Sequence, residues 1–153
     1  MITRKAEYAI IALAELASHP EGTIISSKEI ANRKAIPGNL VVQLTALLNE
    51  AGWISGTRGP TGGMRLQTEP AKINLRQVIE LIDGPVCITR CLINKTPCKD
   101  RIHCSLRGIW ADAQQSMLKV LEDVTIKDLA EKLQKDETKW NNSSRETAHK
   151  SAH

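Results

Sequence analysis

The stretch from Ser26 to Gly63 constrains the fold more than any other part of this 153-residue sequence. It begins with SSKEIANRK, in which Ser26 and Glu29 have the spacing of a helix capping box. The turn-forming residues AIPGN follow. A second helix is expected over about Asn39 to Ala51, because apolar residues recur there with helical spacing, at Leu40, Leu44, Leu47, Leu48 and Ala51. The stretch therefore predicts two helices joined by a tight turn.

A β-hairpin is predicted directly after these helices. Gly52 is well placed to end the second helix, and the segment WISGTRGPTGGMRLQ follows it. Short extended runs flank a tip that holds four glycines, one proline and Arg58. Two helices, a tight turn and a hairpin together predict a winged helix-turn-helix.

The rest of the chain is expected to be helical. Thr3 can cap a buried helix that runs to about Ser18, and INLRQVIELIDGP places Leu75, Val78, Ile79 and Ile82 on one helical face. A long helix is expected from about Ser105 to Asp123, with one largely apolar side formed by Ile109, Trp110, Ala113, Met117, Val120, Leu121 and Val124. Thr125 and Asp128 form another capping-box-like start, before IKDLAEKL. With no Phe and 3% aromatic residues, the core must be aliphatic, which favours a mainly α fold with a small β-hairpin wing.

Charge and hydropathy limit the classes of protein to which the chain can belong. The net charge of +4 is mild, but residues 28–65 hold five basic side chains and only two acidic ones. No segment approaches the roughly 18 apolar residues of a membrane span, and Glu7 and Glu15 interrupt the N-terminal apolar run. We therefore expect a cytoplasmic protein without a membrane partner, in which thiols stay reduced.

The outer side of the second helix has the chemistry of a DNA-reading surface. Small and polar side chains lie there, at Asn39, Val42, Gln43, Ala46 and Asn49, and an α-helix with such a face can approach base edges in the major groove. Arg58 at the hairpin tip is long enough to enter a minor groove or contact phosphates. The alternative is a helical bundle with a surface hairpin. GPTGG is not a phosphate-binding P-loop, since Met64 and Arg65 follow it instead of Lys and Ser or Thr.

All four cysteines lie between Cys87 and Cys104, in a polar stretch expected to be irregular, and are separated by three, six and five residues. Structural disulfides are disfavoured by the reducing compartment. A zinc site would be expected to use two tighter pairs, and a metal-free redox switch needs no strict geometry. An iron-sulfur cluster is favoured, because it is wider than a zinc ion and takes thiolate ligands from a longer loop.

The sequence resembles the Rrf-two family of bacterial regulators, of the IscR, NsrR and RirA type. The resemblance covers about residues 1–133 and rests on MITRKAEYAIIALAELA, on IPGNLVVQLTALLNEAGWI, on SGTRGPTGG and on the trio Cys91, Cys98 and Cys104 before a long helix. It implies a winged helix-turn-helix domain plus a long dimerisation helix. It also implies a homodimer that binds a palindromic double-stranded DNA operator, with a cluster whose state sets DNA affinity.

The resemblance implies particular site residues. The cysteine trio would bind a [2Fe-2S] or [4Fe-4S] cluster, and the DNA-contacting positions match Pro37, Asn39, Leu40, Val42, Gln43, Arg58 and Gly59. Arg107 stands where IscR-type members have a histidine ligand, so the fourth ligand is open. NsrR-type members use a carboxylate from the other subunit, which matches Glu7; Cys87 and His103 are the alternatives. Val42 replaces an acidic side chain of IscR-like proteins, which suggests tolerance of a thymine methyl and makes a second, cluster-independent class of operator doubtful.

These observations predict four regions: a winged helix-turn-helix domain over residues 1–83, a cluster-binding cysteine loop over 84–104, the dimerisation helix and a C-terminal helix over 105–134, and a disordered tail over 135–153. The expected function is transcription regulation in response to iron, redox or nitric oxide status. A cluster-free thiol switch and an electron carrier or cluster-delivery protein are the alternatives. No catalytic arrangement is recognised, so an enzyme is not expected. Contact with RNA polymerase is compatible with this function, but no sequence feature identifies it.

Overall fold

The computed structural model describes residues 2–57, 62–93 and 104–136 of the chain. Within these ranges the chain is mainly helical, with one antiparallel hairpin. The helices are α1 (Arg4–Ala17), α2 (Ser27–Lys34), α3 (Gly38–Glu50), α4 (Leu75–Asp83), α5 (Arg90–Ile93), α6 (Leu106–Asp123) and α7 (126–136). The strands are β1 (Ile54–Thr57) and β2 (Gly63–Leu66), and Pro70–Lys72 forms a short 3-10 turn.

Capping side chains mark where the helices begin, as the sequence predicts. Thr3 accepts a hydrogen bond from the Ala6 N–H at the start of α1, and Ser26 does the same for Glu29 at the start of α2. Asn74 forms a reciprocal capping box at α4 that the sequence analysis did not identify. These bonds satisfy amide donors that a helix leaves without a partner in its first turn.

The core is aliphatic and lies between α1, α2, α3 and the hairpin, with α4 and α7 closing it from the other side. Its largest fully buried side chains are Leu13, Ile30, Leu44, Leu48, Ile54, Met64, Ile73 and Ile126. On α3 the buried residues are Val41, Leu44 and Leu48, whereas Leu40, Leu47 and Ala51 of the expected stripe are half-buried. The stripe is therefore rotated slightly toward Val41, which the sequence analysis did not place in the core.

The hairpin of β1 and β2, called the wing below, is attached to the core on two sides. Its register pairs Ile54 with Leu66 and Thr57 with Gly63. The backbones of Ile25 and Met64 exchange two hydrogen bonds, of 3.0 and 2.8 Å, so the segment before α2 extends the hairpin by one bridge. Because Ile25, Ile54 and Met64 are all buried, the base of the wing is fixed to the core.

The C-terminal part of the chain returns to the N-terminal core. The Ile126 N–H donates to the Ile73 carbonyl at 2.9 Å, and Ile126 is fully buried. The Gln134 side chain donates to the Ser18 carbonyl at the end of α1. Thr125 and Asp128 cap α7 reciprocally, as predicted. Helix α7, which lies outside the predicted region 1–83, thus contributes to the same core as that region.

One expectation about local structure is corrected. The cysteine segment is not irregular throughout, because α5 contains Cys91 and begins with a hydrogen bond from the Leu92 N–H to the Thr89 carbonyl. Helix α7 extends to residue 136, so the first two residues of the predicted tail are helical. The remainder of the predicted tail, 137–153, lies outside the described residues.

Candidate DNA interface and cysteine segment

The outer face of α3 is open to solvent. Asn39, Val42 and Gln43 are exposed, and Val42 has 64% of its surface accessible although it is apolar. Pro37 is exposed at the N-cap position, where its carbonyl accepts hydrogen bonds from the N–H groups of Leu40 and Val41. Leu40 is half-buried against the core, so it offers less surface than the others. The exposed set is free for contact with another molecule.

A groove of about 650 Å³ separates this face of α3 from the wing. One wall is formed by the first turn of α2, with Ser26, Ser27 and Lys28; α3 and the wing form the others, with Val42, Thr45, Ala46, Asn49, Gly56, Thr57, Gly62 and Gly63. The Asn49 side-chain oxygen accepts a hydrogen bond from the Gly56 N–H at 3.3 Å. That bond joins the wing to α3, so the two surfaces lie side by side around one concave groove.

The positive charge beside this groove is smaller than the count of basic residues predicts. Arg33 and Lys34 contact the buried carboxylate of Glu15 at 3.1 and 2.8 Å, and Arg33 also pairs with Glu29. Lys28 and Arg65 are exposed and take part in no ion pair within the described ranges. Arg58 and Gly59, the predicted wing contacts, lie outside the described residues.

Glu15 holds two helices together, a role that the sequence analysis did not identify. In the sequence it is notable only because it interrupts an apolar run. Its burial raises the pKa of the carboxyl, but hydrogen bonds from Lys34 and Arg33 outweigh that effect, so the pKa lies below its usual range. His19 completes the cluster, with Nδ1 2.8 Å from the Glu15 carbonyl oxygen and Nε2 3.1 Å from the Arg33 guanidinium. The cluster joins the end of α1 to the end of α2.

The described cysteines lie on either side of residues 94–103, which are outside the described part of the chain. Cys87, Cys91 and Cys104 are half-buried and carry free thiols, and the Cys91 sulfur lies 3.2 Å from the Thr89 hydroxyl. Cys98 and His103 fall within the undescribed stretch. Among described residues, no three His, Cys, Asp or Glu side chains come together as a metal site.

The chemistry of this donor set fits an iron-sulfur cluster. Thiols are the ligands that such clusters take, and Cys91 and Cys104 are neither engaged in disulfides nor fully buried. Glu7, the predicted fourth ligand, is partly exposed on α1 and forms an ion pair with Arg4 at 2.8 Å. This arrangement matches an ordinary surface glutamate in a single chain, and it leaves the carboxylate accessible from outside.

The start of the cysteine segment is attached to α6 by a contact that the sequence does not reveal. The Gln114 side-chain amide donates to the Val86 carbonyl at 2.7 Å, and its oxygen accepts from the Ile88 N–H at 2.8 Å. One side chain therefore holds the peptide groups on both sides of Cys87. No periodicity or motif predicts a bond between residues this far apart in sequence.

Helix α6 has two different sides. One side faces α4 and α5 through Gln114, Leu118 and Glu122, and Glu122 forms an ion pair with Arg76 of α4. The other side carries large exposed side chains at helical spacing, with Leu106 52%, Ile109 59% and Val120 63% accessible. No residue of α6 is buried in the single chain. No helix in the described ranges has the length and apolar character needed to cross a bilayer.

Two helices joined by a tight turn, with a hairpin fixed against the second, define a winged helix-turn-helix protein. The chain belongs to the Rrf2 family, because residues 2–132 match the model of that family, which is described as an iron-dependent transcriptional regulator. The resemblance and the fold class predicted from sequence are thus confirmed.

Individual relatives agree with this assignment. The regulator IscR of Vibrio atlanticus is 30% identical over 84% of this chain and 73% of its own length. An rrf2-like regulator of Rhodobacter capsulatus is also 30% identical, over 84% of this chain and 91% of its own. Among solved structures, CymR, the global cysteine regulator of B. subtilis, superposes with a TM-score of 0.69 at 27% identity, covering 86% of this chain and 96% of its own. The structure of IscR from T. potens superposes with a TM-score of 0.68 at 25% identity, covering 87% of this chain and 88% of its own.

The protein is therefore a transcriptional regulator. The matched proteins are regulators and not enzymes, which confirms the prediction that this chain is not an enzyme. Membership in this family also removes the reason to consider an electron carrier or cluster-delivery protein. The DNA-contacting residues and the cluster ligands stay predictions.

Proposed function

We propose that this protein is a cytoplasmic homodimer that binds a palindromic DNA operator and senses iron, redox or nitric oxide status through an iron-sulfur cluster. The observation that carries the DNA-binding part is the exposed polar face of α3 beside the groove under the wing. An α-helix with short polar side chains fits the major groove, where amide side chains can bond base edges. Asn39 and Gln43 supply such amides, and Val42 offers an apolar contact to a thymine methyl.

The wing and α2 would contact the sugar-phosphate backbone. Lys28 lies at the groove edge and Arg65 is exposed on β2, so both can approach phosphates. Arg58 and Gly59 at the wing tip are proposed to reach the next groove or strand. Because the bond from Gly56 to Asn49 joins the wing to α3 beside the groove, helix and wing would bind as one unit.

The cysteine segment is proposed to bind the cluster through Cys91, Cys98 and Cys104. The support is the donor chemistry of the free, half-buried thiols at Cys91 and Cys104, which lie on either side of residues 94–103. When bound, the cluster would supply a centre whose charge and presence change with iron supply and oxidation. The fourth ligand is proposed to be Glu7, contributed across the dimer, with Cys87 and His103 as alternatives.

This function implies the four regions that the sequence predicts, with the cysteine segment 84–104 between the DNA-binding unit and α6. If α6 forms the dimer contact, a change in the segment can alter the separation of two α3 helices. That separation must match about one turn of DNA or a multiple of it. A small shift would therefore change operator affinity.

The test of DNA binding is selection of an operator from random duplexes, followed by measurement of affinity against salt concentration. Arg58→Ala is expected to weaken binding and to reduce the slope of log affinity against log salt by about 0.9, the value for one phosphate contact. Lys127→Ala on α7 removes the same charge away from the groove and should leave the slope unchanged. An unaltered affinity in Arg58→Ala would contradict the proposed role of the wing.

A metal-free thiol switch is the second candidate, and two solved relatives favour it. CymR of B. subtilis is described as a global cysteine regulator, and a CymR structure from Staphylococcus aureus is that of an oxidised form. Anaerobic purification with iron and sulfide analysis separates the two functions. A coloured wild type that loses iron in Cys98→Ala supports the cluster, and Glu7→Ala tests the fourth ligand. A colourless, iron-free wild type that still regulates supports the thiol switch.

A further inference from the structure

Gln114 holds one end of the cysteine segment on α6, while the other end is continuous with α6. Its side-chain NH₂ donates to the Val86 carbonyl at 2.7 Å, and its side-chain oxygen accepts from the Ile88 N–H at 2.8 Å. The backbone of a neighbouring β-strand would make the same pair of bonds. The segment returns at Cys104, whose carbonyl accepts from the Arg107 N–H in the first turn of the same helix. Both ends of the segment are therefore anchored to one rigid element.

The two anchoring points lie close together. Gln114 is about two turns into α6, so the segment leaves and rejoins the helix about 12 Å apart at a rise of 1.5 Å per residue. Fixing residues 86–88 shortens the span of chain between fixed points, and a shorter loop loses less entropy when its side chains converge on a ligand. If the anchor at Gln114 is removed, no hydrogen bond within the described ranges joins residues 86–88 to α6.

We infer that Gln114 is a positioning residue for the start of the cysteine segment: it fixes the backbone on both sides of Cys87 and thereby sets the reactivity of the Cys87 thiol and the retention of metal by the segment. No other side chain in the described ranges bonds the backbone of residues 86–88. Gln114 is half-buried, and its bond to the Val86 carbonyl is partly shielded from competing water, whereas the bond from the Ile88 N–H is exposed. The part that concerns metal retention rests on the proposed function; the part that concerns the backbone does not.

The same contact links the segment to the exposed apolar side of α6. Ala113 lies on the exposed apolar side of α6. Its neighbour Gln114 lies on the side that faces α5, together with Leu118. A displacement of residues 86–88 must therefore either break the two bonds or move α6. At the other end of α6, the ion pair between Arg76 and Glu122 and the bond from the Leu75 N–H to the Val124 carbonyl hold the helix to α4.

The first test uses the reduced, metal-free full-length protein and measures hydrogen exchange of the Ile88 amide by NMR. Gln114→Ala is expected to accelerate this exchange about tenfold, since it removes the acceptor of that amide. Gln114→Glu keeps an acceptor for the Ile88 amide but places a carboxylate oxygen against the Val86 carbonyl, so exchange should rise less than in Gln114→Ala. Gln115→Ala, the matched control, removes the same side chain type one residue along and should behave as wild type. Equal exchange rates in all four proteins would overturn the inference.

The second test measures the thiols. Iodoacetamide should alkylate Cys87 several-fold faster in both Gln114 variants than in wild type or Gln115→Ala, with far-ultraviolet circular dichroism confirming that each variant is folded. In the protein loaded anaerobically with iron and sulfide, the cluster absorption should decay faster in Gln114→Ala than in Gln115→Ala. Faster Ile88 exchange with unchanged alkylation and unchanged decay would overturn the positioning role. A wild type that takes up no iron would instead contradict the proposed function, and the alkylation rates would still decide the role of Gln114.

Discussion

Glu15 is the residue whose environment differs most from what its sequence position suggests. Only 3% of its surface is accessible, yet it carries a charge that Arg33 and Lys34 balance. A buried carboxylate without such partners would be strongly destabilising. Because α1 and α2 meet at this cluster, it orients α2 and, through the following turn, α3.

Glu15→Gln is expected to destabilise the fold by about 2 kcal/mol at neutral pH, because it leaves two cationic side chains without their shared acceptor. The difference from wild type should shrink in acid. The folded-state pKa of Glu15 is lowered, so its stabilisation is present above the unfolded-state pKa and is lost as pH falls through the folded-state value. Urea unfolding of both proteins at neutral pH and below about pH 4 measures this convergence.

Glu29→Gln is the matched control for that experiment. Glu29 pairs with Arg33 at 2.7 Å, but 45% of its side chain is accessible, and surface pairs contribute about 0.5 kcal/mol or less. If the two variants lost equal stability at neutral pH, the stabilisation would not come from the buried carboxylate.

At the scale of elements, the wing depends on a close backbone approach. A Cβ at Gly63 would lie 2.6 Å from the Ile25 carbonyl oxygen, which is itself bonded to the Met64 N–H. Gly63→Ala is therefore expected to push β2 away from Ile25 and to cost about 2 kcal/mol, as for overpacked sites in cores. Thermal or urea unfolding measures the loss.

Gly56 offers the comparison on the opposite strand. A Cβ there would contact the Thr45 methyl at 3.4 Å, which is close to ordinary contact and involves a side chain instead of backbone. Gly56→Ala should thus lose much less stability than Gly63→Ala. The reverse order would mean that the bridge between Ile25 and Met64 does not limit the position of the wing.

The elements themselves could be predicted because their determinants are local. Thr3, Ser26 and Thr125 cap helices as expected, the glycine-rich hairpin forms, and α3 differs from its predicted bounds by one residue at each end. The contacts between elements could not be predicted in the same way. The pairing of Glu15 with Arg33 and the bonds from Gln114 to residues 86–88 join distant parts of the chain, and no periodicity encodes them. The same holds for the candidate site. The exposed face of α3 could be predicted from helical spacing, whereas the groove and the anchoring of the cysteine segment could not, because they depend on how the elements pack.

At the scale of the whole molecule, α6 presents an apolar side that the single chain does not cover. Exposed apolar surface of this extent marks a contact surface more often than a solvated one. The described α7 packs on the core and not on this side, since Ile126 and Ala130 are buried there. A second copy of α6 is the occupant that the proposed homodimer supplies.

This assignment predicts the oligomeric state of two charge variants. Ile109→Glu and Val120→Glu should each convert a dimer into monomers at micromolar concentration in light scattering coupled to size exclusion, because a carboxylate in an apolar contact must be desolvated without a partner. Both residues are more than half exposed in the single chain, with 59% and 63% accessible, so the variants should keep wild-type circular dichroism. Ala111→Glu introduces the same charge at an exposed position on the other side of α6 and should remain dimeric.

Because operator recognition by paired α3 helices needs both subunits, the two monomeric variants should also lose operator affinity while Ala111→Glu retains it. Dimers that persist in both variants would place the subunit contact elsewhere on the molecule.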